Sequence, residues 1–533
     1  MEKTPMLQSD KARTALRSAP PKALTCARFG LRVLAVLLCI AITSAETSTM
    51  RTLPSRESPS LQTIVDDGTI IQNVTVISPE RAAPLSHAAV VIRNGRIAEV
   101  GRNIVAGPHA RYIDGSGKFL IPGLIDSHVH AGHSAALDEG AIDAHPELWA
   151  AYRAQVPRAF LAFGFTTLVD LDLTSSDRAW FEGTPLHPHL YSCGQGIKVP
   201  GGYMAFQVPP VSSPDFPNLV YDPMDADHWP KTLSPADYTA EHAVARAADA
   251  RAVCVKAFVE SGFGTFHWPY IHTEILQEIR AAARARGLIL MVHANSVDSW
   301  RSALDAQADV IAHGLWVWPG DFGIAVPPSS ASNVIAAAAR AGTHVQPTMQ
   351  TVAGERALID PGLLDDPRLA WALPPAVIAY LRSPEGVKAR MTLLEEYREA
   401  SPAPGFELLL AAAIGRARAT FKLMLQDRVP LLFGSDTPGV EGFGNPPGLN
   451  GRLEMQNWSD VGAAPSLILR AATIDNATML GLSHKCGSIE PGKIADMLLL
   501  KQDPLASVSA YDSIETIFLD GEPIPRETLR FHN

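Results

Sequence analysis

The stretch Phe119-Leu-Ile-Pro-Gly-Leu-Ile-Asp-Ser-His-Val-His130 decides how the rest of the chain is read. It is an apolar run that closes on two imidazoles, and side chains two apart on a β-strand point to the same face. His128 and His130 are therefore able to converge on one cation, although a pair of surface or core histidines leaves the same local pattern. What separates the two readings is that Lys256, His293, His313 and Asp436 follow, each closing an apolar run of its own.

His293 ends Leu288-Ile-Leu-Met-Val-His and His313 ends Asp309-Val-Ile-Ala-His. Singly, each reads more readily as a structural histidine than as a ligand; four histidines at the strand ends of one barrel reverse that reading. Asp436 ends Val429-Pro-Leu-Leu-Phe-Gly-Ser-Asp, where it is either a strand cap or a ligand that also accepts the proton of an attacking water.

Lys256 discriminates best. It interrupts Ala252-Val-Cys-Val-Lys-Ala-Phe, where a buried ammonium is costly. Either it reaches solvent or pairs with Glu260, or it is held neutral and adds carbon dioxide. The resulting carbamate is an anionic, two-armed oxygen donor suited to bridging two divalent ions. Nitrogen and oxygen donors without thiolate favour Zn²⁺, with Mn²⁺, Fe²⁺ or Co²⁺ as alternatives. Two such ions would lower the pKa of a bridging water and polarise a carbonyl.

The chain has 533 residues, 47% hydrophobic and 19% charged, with a formal net charge of −10. That composition is globular and leaves room for a catalytic unit and a second small domain. No strongly basic patch appears, so nucleic acid is not an expected partner. Leu31 to Ile42 is apolar apart from Arg32, preceded by Lys22 and Arg28 and followed by Thr43-Ser44-Ala45. At about a dozen residues it is short for a membrane span and reads as a signal peptide, with an uncleaved anchor as the alternative. Residues 1–45 carry seven Lys/Arg and two Asp/Glu, so their removal takes the net charge from −10 to −15. Cys193, Cys254 and Cys486 remain after cleavage; three cannot pair completely, and no disulfide framework is expected.

Short alternating strands run from Thr69 to about Asp114, with an Asn94-Gly95 hairpin signal. The style returns in Ala495-Asp-Met-Leu-Leu-Leu and Thr516-Ile-Phe-Leu-Asp-Gly-Glu-Pro-Ile. Between these ends strand-like and helix-like segments alternate, with strands expected to close near His130, Asp170, Gly194, Lys256, His293, His313, Pro347 and Asp436. Eight such units predict an α/β fold, a (β/α)₈ TIM barrel with its active groups at the C-terminal ends of the strands. The expected order is a signal peptide over 1–45, a linker over 46–64, a barrel over 119–484, and a small composite β-sandwich from 65–118 and 485–533. Residues 196–238 and 350–428 read as the segments that shape a substrate pocket.

These residues resemble the amidohydrolase superfamily. The markers are Ile121-Pro-Gly-Leu-Ile-Asp-Ser-His-Val-His, Gly164-Phe-Thr-Thr, Val255-Lys-Ala-Phe, Val292-His-Ala, Ala312-His-Gly, Gly434-Ser-Asp-Thr and Gly487-Ser-Ile-Glu-Pro-Gly-Lys-Ile-Ala-Asp-Met. Lys256, His293-Ala-Asn and Gln346-Pro-Thr-Met look most like the prolidase/imidazolonepropionase-like branch. The resemblance implies that His128 and His130 bind one metal, Lys256 bridges as a carbamate, His293 and His313 bind a second, and Asp436 is ligand and general base. Where dipeptidases of that branch often carry Gly-Gly-His, this chain has Gly201-Gly202-Tyr203. Tyr203 is thus a substrate-binding candidate, equally readable as a packing tyrosine, and strict Xaa-Pro specificity is not expected.

The reading is an exported, binuclear metal hydrolase that cleaves an amide bond of a small N-acyl amino acid or dipeptide, using a metal-bridging hydroxide. The protein itself would be secreted or periplasmic, without stable membrane association once its signal is cleaved, and able to form a homo-oligomer. The alternatives are a mononuclear deaminase or cyclic-amidine hydrolase, and a lactone or phosphotriester hydrolase. A metal-free scaffold would show eroded ligand positions, and none of the six is eroded.

Overall fold

The computed structural model describes residues 63–531 apart from 207, 214–215, 263–266, 320–325, 402 and 440–441. The expected signal peptide lies outside the described residues, as does the linker up to residue 62. The last linker positions are not irregular: Thr63–Val65 pairs in parallel with Ile104–Ala106.

Seven parallel strands carry the centre of the fold: β1 Leu124–Val129, β2 Phe165–Asp170, β3 His189–Ser192, β4 Cys254–Phe258, β5 Ile289–His293, β6 Val310–Ala312 and β7 His344–Gln346. They form two ladders, β1–β2–β3 and β4–β5–β6–β7. Backbone bonds join the ladders, Val253 N–H to Ser192 O at 2.9 Å and Ile197 N–H to Lys256 O at 2.7 Å. Beyond β7, Leu432 N–H donates to Val345 O at 2.9 Å, while Ser127 N–H donates to Phe433 O at 3.2 Å and Asp436 N–H to His128 O at 2.7 Å. The segment from Leu431 to Thr437 thus touches β7 on one side and β1 on the other. It does so through isolated bridges rather than as the regular strand expected to end at Asp436. Pro430 and Pro438 bracket it and cannot donate to a ladder. The fold is mixed α/β, consistent with a TIM-barrel-like arrangement.

Helices between the strands bury one face each. In Thr273–Ala285, Leu276, Ile279, Ala282 and Ala283 are buried, a helical stripe turned to the strands, and Gly287 at φ +69° ends the turn. Helix Val297–Asp305 begins with a capping box in which Ser296 and Ser299 satisfy each other's backbone N–H.

The apolar run from Phe119 to His130 is divided. Phe119–Pro122 pairs antiparallel with Met497–Leu500, and β1 starts only at Leu124. At the break, Gly123 N–H donates to Asp496 O at 2.8 Å, and a Cβ there would collide with Thr166. One eight-stranded sheet joins the two chain ends: Ile514–Leu519, Met497–Leu500, Phe119–Pro122, Thr69–Val76 and Leu85–Arg93 are successive neighbours.

Three cysteines indeed cannot pair completely, but the expectation that no disulfide staples the chain is corrected. Cys193, just after β3, and Cys254, which opens β4, are disulfide-bonded with Cα atoms 4.5 Å apart. Two adjacent parallel strands bring them together across 61 residues of sequence. Cys486 is free and buried. Among the described residues no helix is long and apolar enough to cross a membrane.

Candidate metal centre

β1 presents His128 and, one residue past its end, His130; both are buried. β5 ends on His293, and His313 follows β6 directly. Lys256 departs from its expected place: it is the middle residue of β4, because Ala257 and Phe258 continue the ladder opposite Val292 and His293. Asp436 adopts a left-handed backbone, φ +57°, which turns its carboxylate back over β1.

That carboxylate is the hub. Its Oδ1 lies 3.0 Å from His128 Nε2 and 3.1 Å from His130 Nε2, and its Oδ2 lies 3.7 Å from His313 Nδ1. Ligand atoms of His128, His313 and Asp436 fall within 4.8 Å of one another. The His293 ring packs edge-on to His313 at 4.4 Å between centroids. Tyr203 faces His293 at 4.9 Å, within an aromatic wall shared with Phe258. His130, Tyr203, His293, His313 and Asp436 border one small cavity.

The electrostatics follow from burial. Lys256 is 1% exposed, its Nζ makes no hydrogen bond among the described residues, and burial pushes its pKa down to about 7 against the pull of Asp436 and Asp172. The alternative pairing with Glu260 is not formed. Glu260 instead accepts from Asn295 Nδ2 at 2.7 Å and from Gly262 N–H at 3.0 Å. Burial, reinforced by Lys256, lowers His128 to about 3, and burial with the neighbouring His293 ring holds His313 well below its ordinary value. Burial alone would raise Asp436, but His128 and His313 outweigh it and keep its carboxyl well below the usual range.

Buried polar atoms left without partners are the test of whether an ion fits. Among the described residues these include Lys256 Nζ, His128 Nδ1 and Nε2, and His130 Nδ1. His128 Nε2 is 3.0 Å from a carboxylate oxygen yet is not aligned to bond it. A divalent ion between two such unbonded ligand atoms would satisfy both. The donor set therefore fits a divalent metal.

The family model described as "Amidohydrolase family" matches residues 119–524. The chain belongs to the amidohydrolase family. Members are metal-dependent hydrolases. This amidohydrolase shares its fold with a solved prolidase complexed with N-methylphosphonate-L-proline, at TM-score 0.61 and 22% identity over 86% of this chain and 99% of that one. A putative prolidase from Bifidobacterium longum superposes at TM-score 0.58 and 19% identity, over 86% and 97% of the two chains. A dihydroorotase of Trichlorobacter lovleyi is 49% identical over 41 residues, 8% of this chain and 10% of that one. The curated relatives are matched over short stretches, at most 20% of their own length.

The amidohydrolase also uses residues that the sequence reading passed over. His133 borders the same cavity and stacks on His130 at 5.5 Å; its signal was a third histidine in His128-Val-His-Ala-Gly-His. Thr351 Oγ1 donates to Asp436 Oδ2 at 3.0 Å, and Thr348 Oγ1 lies 2.9 Å from His313 Nδ1. The buried carboxylate of Glu454 accepts from Met349 N–H, Gln350 N–H and Trp458 Nε1, fixing the segment that carries both threonines. A larger cleft of about 440 Å³ shares no lining residue with the histidines. Its Arg246 is committed to Asn218 Oδ1 and Leu219 O.

Proposed function

We propose that this amidohydrolase is an exported, binuclear enzyme of the prolidase-like branch that hydrolyses the amide bond of a small N-acyl amino acid or dipeptide. The observation that carries the reading is Lys256: a buried amine with no hydrogen-bond partner among the described residues, set among four histidines and an aspartate. An amine whose pKa burial brings down to about 7 is neutral in a useful fraction near neutral pH. Its lone pair can bond the carbon of carbon dioxide while one proton leaves the nitrogen, giving the carbamate anion. His128, His130, Lys256, His293, His313 and Asp436 would hold two ions, Zn²⁺ first among the candidates on donor type. When bound, such ions acidify a water and polarise the scissile carbonyl.

The chain's own groups divide the remaining work. Asp436 stays ionised and accepts the proton of the attacking water, with Thr351 fixing Oδ2. Burial, with Asp436 and Glu260 adding to it, raises the Tyr203 phenol, which therefore remains a donor toward a substrate carbonyl or carboxylate. The ring of parallel strands linked through 431–437 is read as a (β/α)₈ barrel, and the sheet shared by the chain ends as the composite β domain. The Cys193–Cys254 disulfide supports export, since disulfides persist in oxidising compartments.

The test is a turnover screen of metal-loaded protein against N-acyl amino acids, Xaa-Pro and other dipeptides, lactones and a phosphotriester, alongside metal analysis. Amide turnover with close to two ions per chain at the histidine cluster is expected. A second reading, a one-metal deaminase or cyclic-amidine hydrolase, draws on the tight group of His128, His313 and Asp436, which offers ligands for one ion. It predicts one ion per chain at the histidine cluster and an active Lys256→Ala variant.

A further inference from the structure

Away from the histidine cluster, His189, Asp496 and Asp520 offer ligand atoms that all lie within 4.8 Å of one another. They come from three separate places. His189 opens β3, Asp496 directly precedes the strand Met497–Leu500, and Asp520 sits in the turn between Ile514–Leu519 and Glu522–Pro525. His189 Nε2 is 3.1 Å from Asp496 Oδ2 and 3.5 Å from Asp520 Oδ1.

Asp496 is 5% exposed, and its two oxygens are used differently. Oδ1 accepts Asp520 N–H at 2.8 Å. Oδ2 makes no hydrogen bond among the described residues, and neither does His189 Nε2 beside it. A buried carboxylate oxygen without a donor is an expensive arrangement, and here the nearest nitrogen is within reach but not aligned. A cation between these atoms would satisfy both. At metal–ligand lengths of about 2.0–2.2 Å, the edges of a tetrahedral or octahedral shell are roughly 3.0–3.5 Å, the range seen here.

We propose that His189, Asp496 and Asp520 form a structural site for a first-row divalent cation, foremost Zn²⁺, which clamps the start of β3 to the sheet shared by the chain ends. One imidazole with two carboxylates selects such an ion over calcium or magnesium, which take oxygen throughout. The Asp520 side chain is 62% exposed, so water can complete the shell. The nearby opposing charge is Lys485, whose ammonium lies 5.8 Å over the Tyr191 ring.

Asp520→Asn is the cleanest probe, because asparagine tolerates the φ of +50° that this turn requires and keeps the shape while removing the charge. His189→Gln removes the imidazole from the other side. Wild type and both variants are loaded with zinc, passed through gel filtration and analysed for metal per chain, with Tm measured before and after loading. The expected result is one equivalent fewer in each variant and a smaller zinc-dependent rise in Tm, with circular dichroism unchanged. Wild-type zinc content in both variants would overturn the site.

Discussion

The Thr348 hydroxyl lies 2.9 Å from Nδ1 of His313, the same nitrogen that stands 3.7 Å from Asp436 Oδ2, and so fixes the orientation of the imidazole beside that carboxylate. Thr348 sits in a left-handed backbone at φ +42°, held there because Glu454 anchors the two residues that follow. Partners of this kind typically tune metal affinity by 10–100-fold. Thr348→Val is expected to weaken zinc binding by about 10-fold while leaving the fold intact, read by competition with a chromophoric chelator.

Lys256→Ala should lose metal and activity together, by about 10²-fold or more in kcat. A fully active Lys256→Ala protein would sink the carbamate argument. The metal-free protein offers a separate check. Lys256 is lowered to about 7 when folded, so from there up to its unfolded value the unfolded chain binds more protons and stability rises with pH. Metal-free Lys256→Met should therefore exceed wild type in urea midpoint most at pH 6, and the gap should narrow by pH 9.

Tyr203→Phe separates substrate contact from packing. The ring positions against His293 and Phe258 are retained, so zinc content should not change. Loss of one hydroxyl contact should lower kcat/KM by up to about 10-fold, mostly through KM. Unchanged kinetics would leave Tyr203 as a packing residue.

The Cys193–Cys254 bond closes a loop of 61 residues, for which chain entropy gives about 4 kcal/mol. Cys193→Ser/Cys254→Ser is expected to lower the urea midpoint accordingly in metal-loaded protein, and reductant should do the same to wild type only.

What was legible in the sequence is what period and burial encode. His128 and His130 were readable because strand side chains alternate, and Lys256 because a charge stood inside an apolar run. His293, His313 and Asp436 were readable as the points where such runs stop. The strand break at Gly123 was not, since it depends on a contact with Thr166 and a bond to Asp496 far along the chain. Nor was the disulfide, which needs the adjacency of β3 and β4. Thr348, Thr351 and Glu454 lie in segments without periodicity, and their roles arise only from which neighbours the fold supplies.

The sheet that begins near Thr69 borrows its central antiparallel partner from Met497–Leu500, some four hundred residues later in the chain. Until that segment is synthesised, Phe119–Pro122 presents an open edge, and a growing chain cannot finish its first module before its last. Contacts of such sequence separation slow folding and expose unpaired strands to association. For this protein, a nascent or C-terminally shortened chain is thus an aggregation hazard rather than a smaller folded enzyme, and a helper that keeps the early strands apart would act before any catalysis begins.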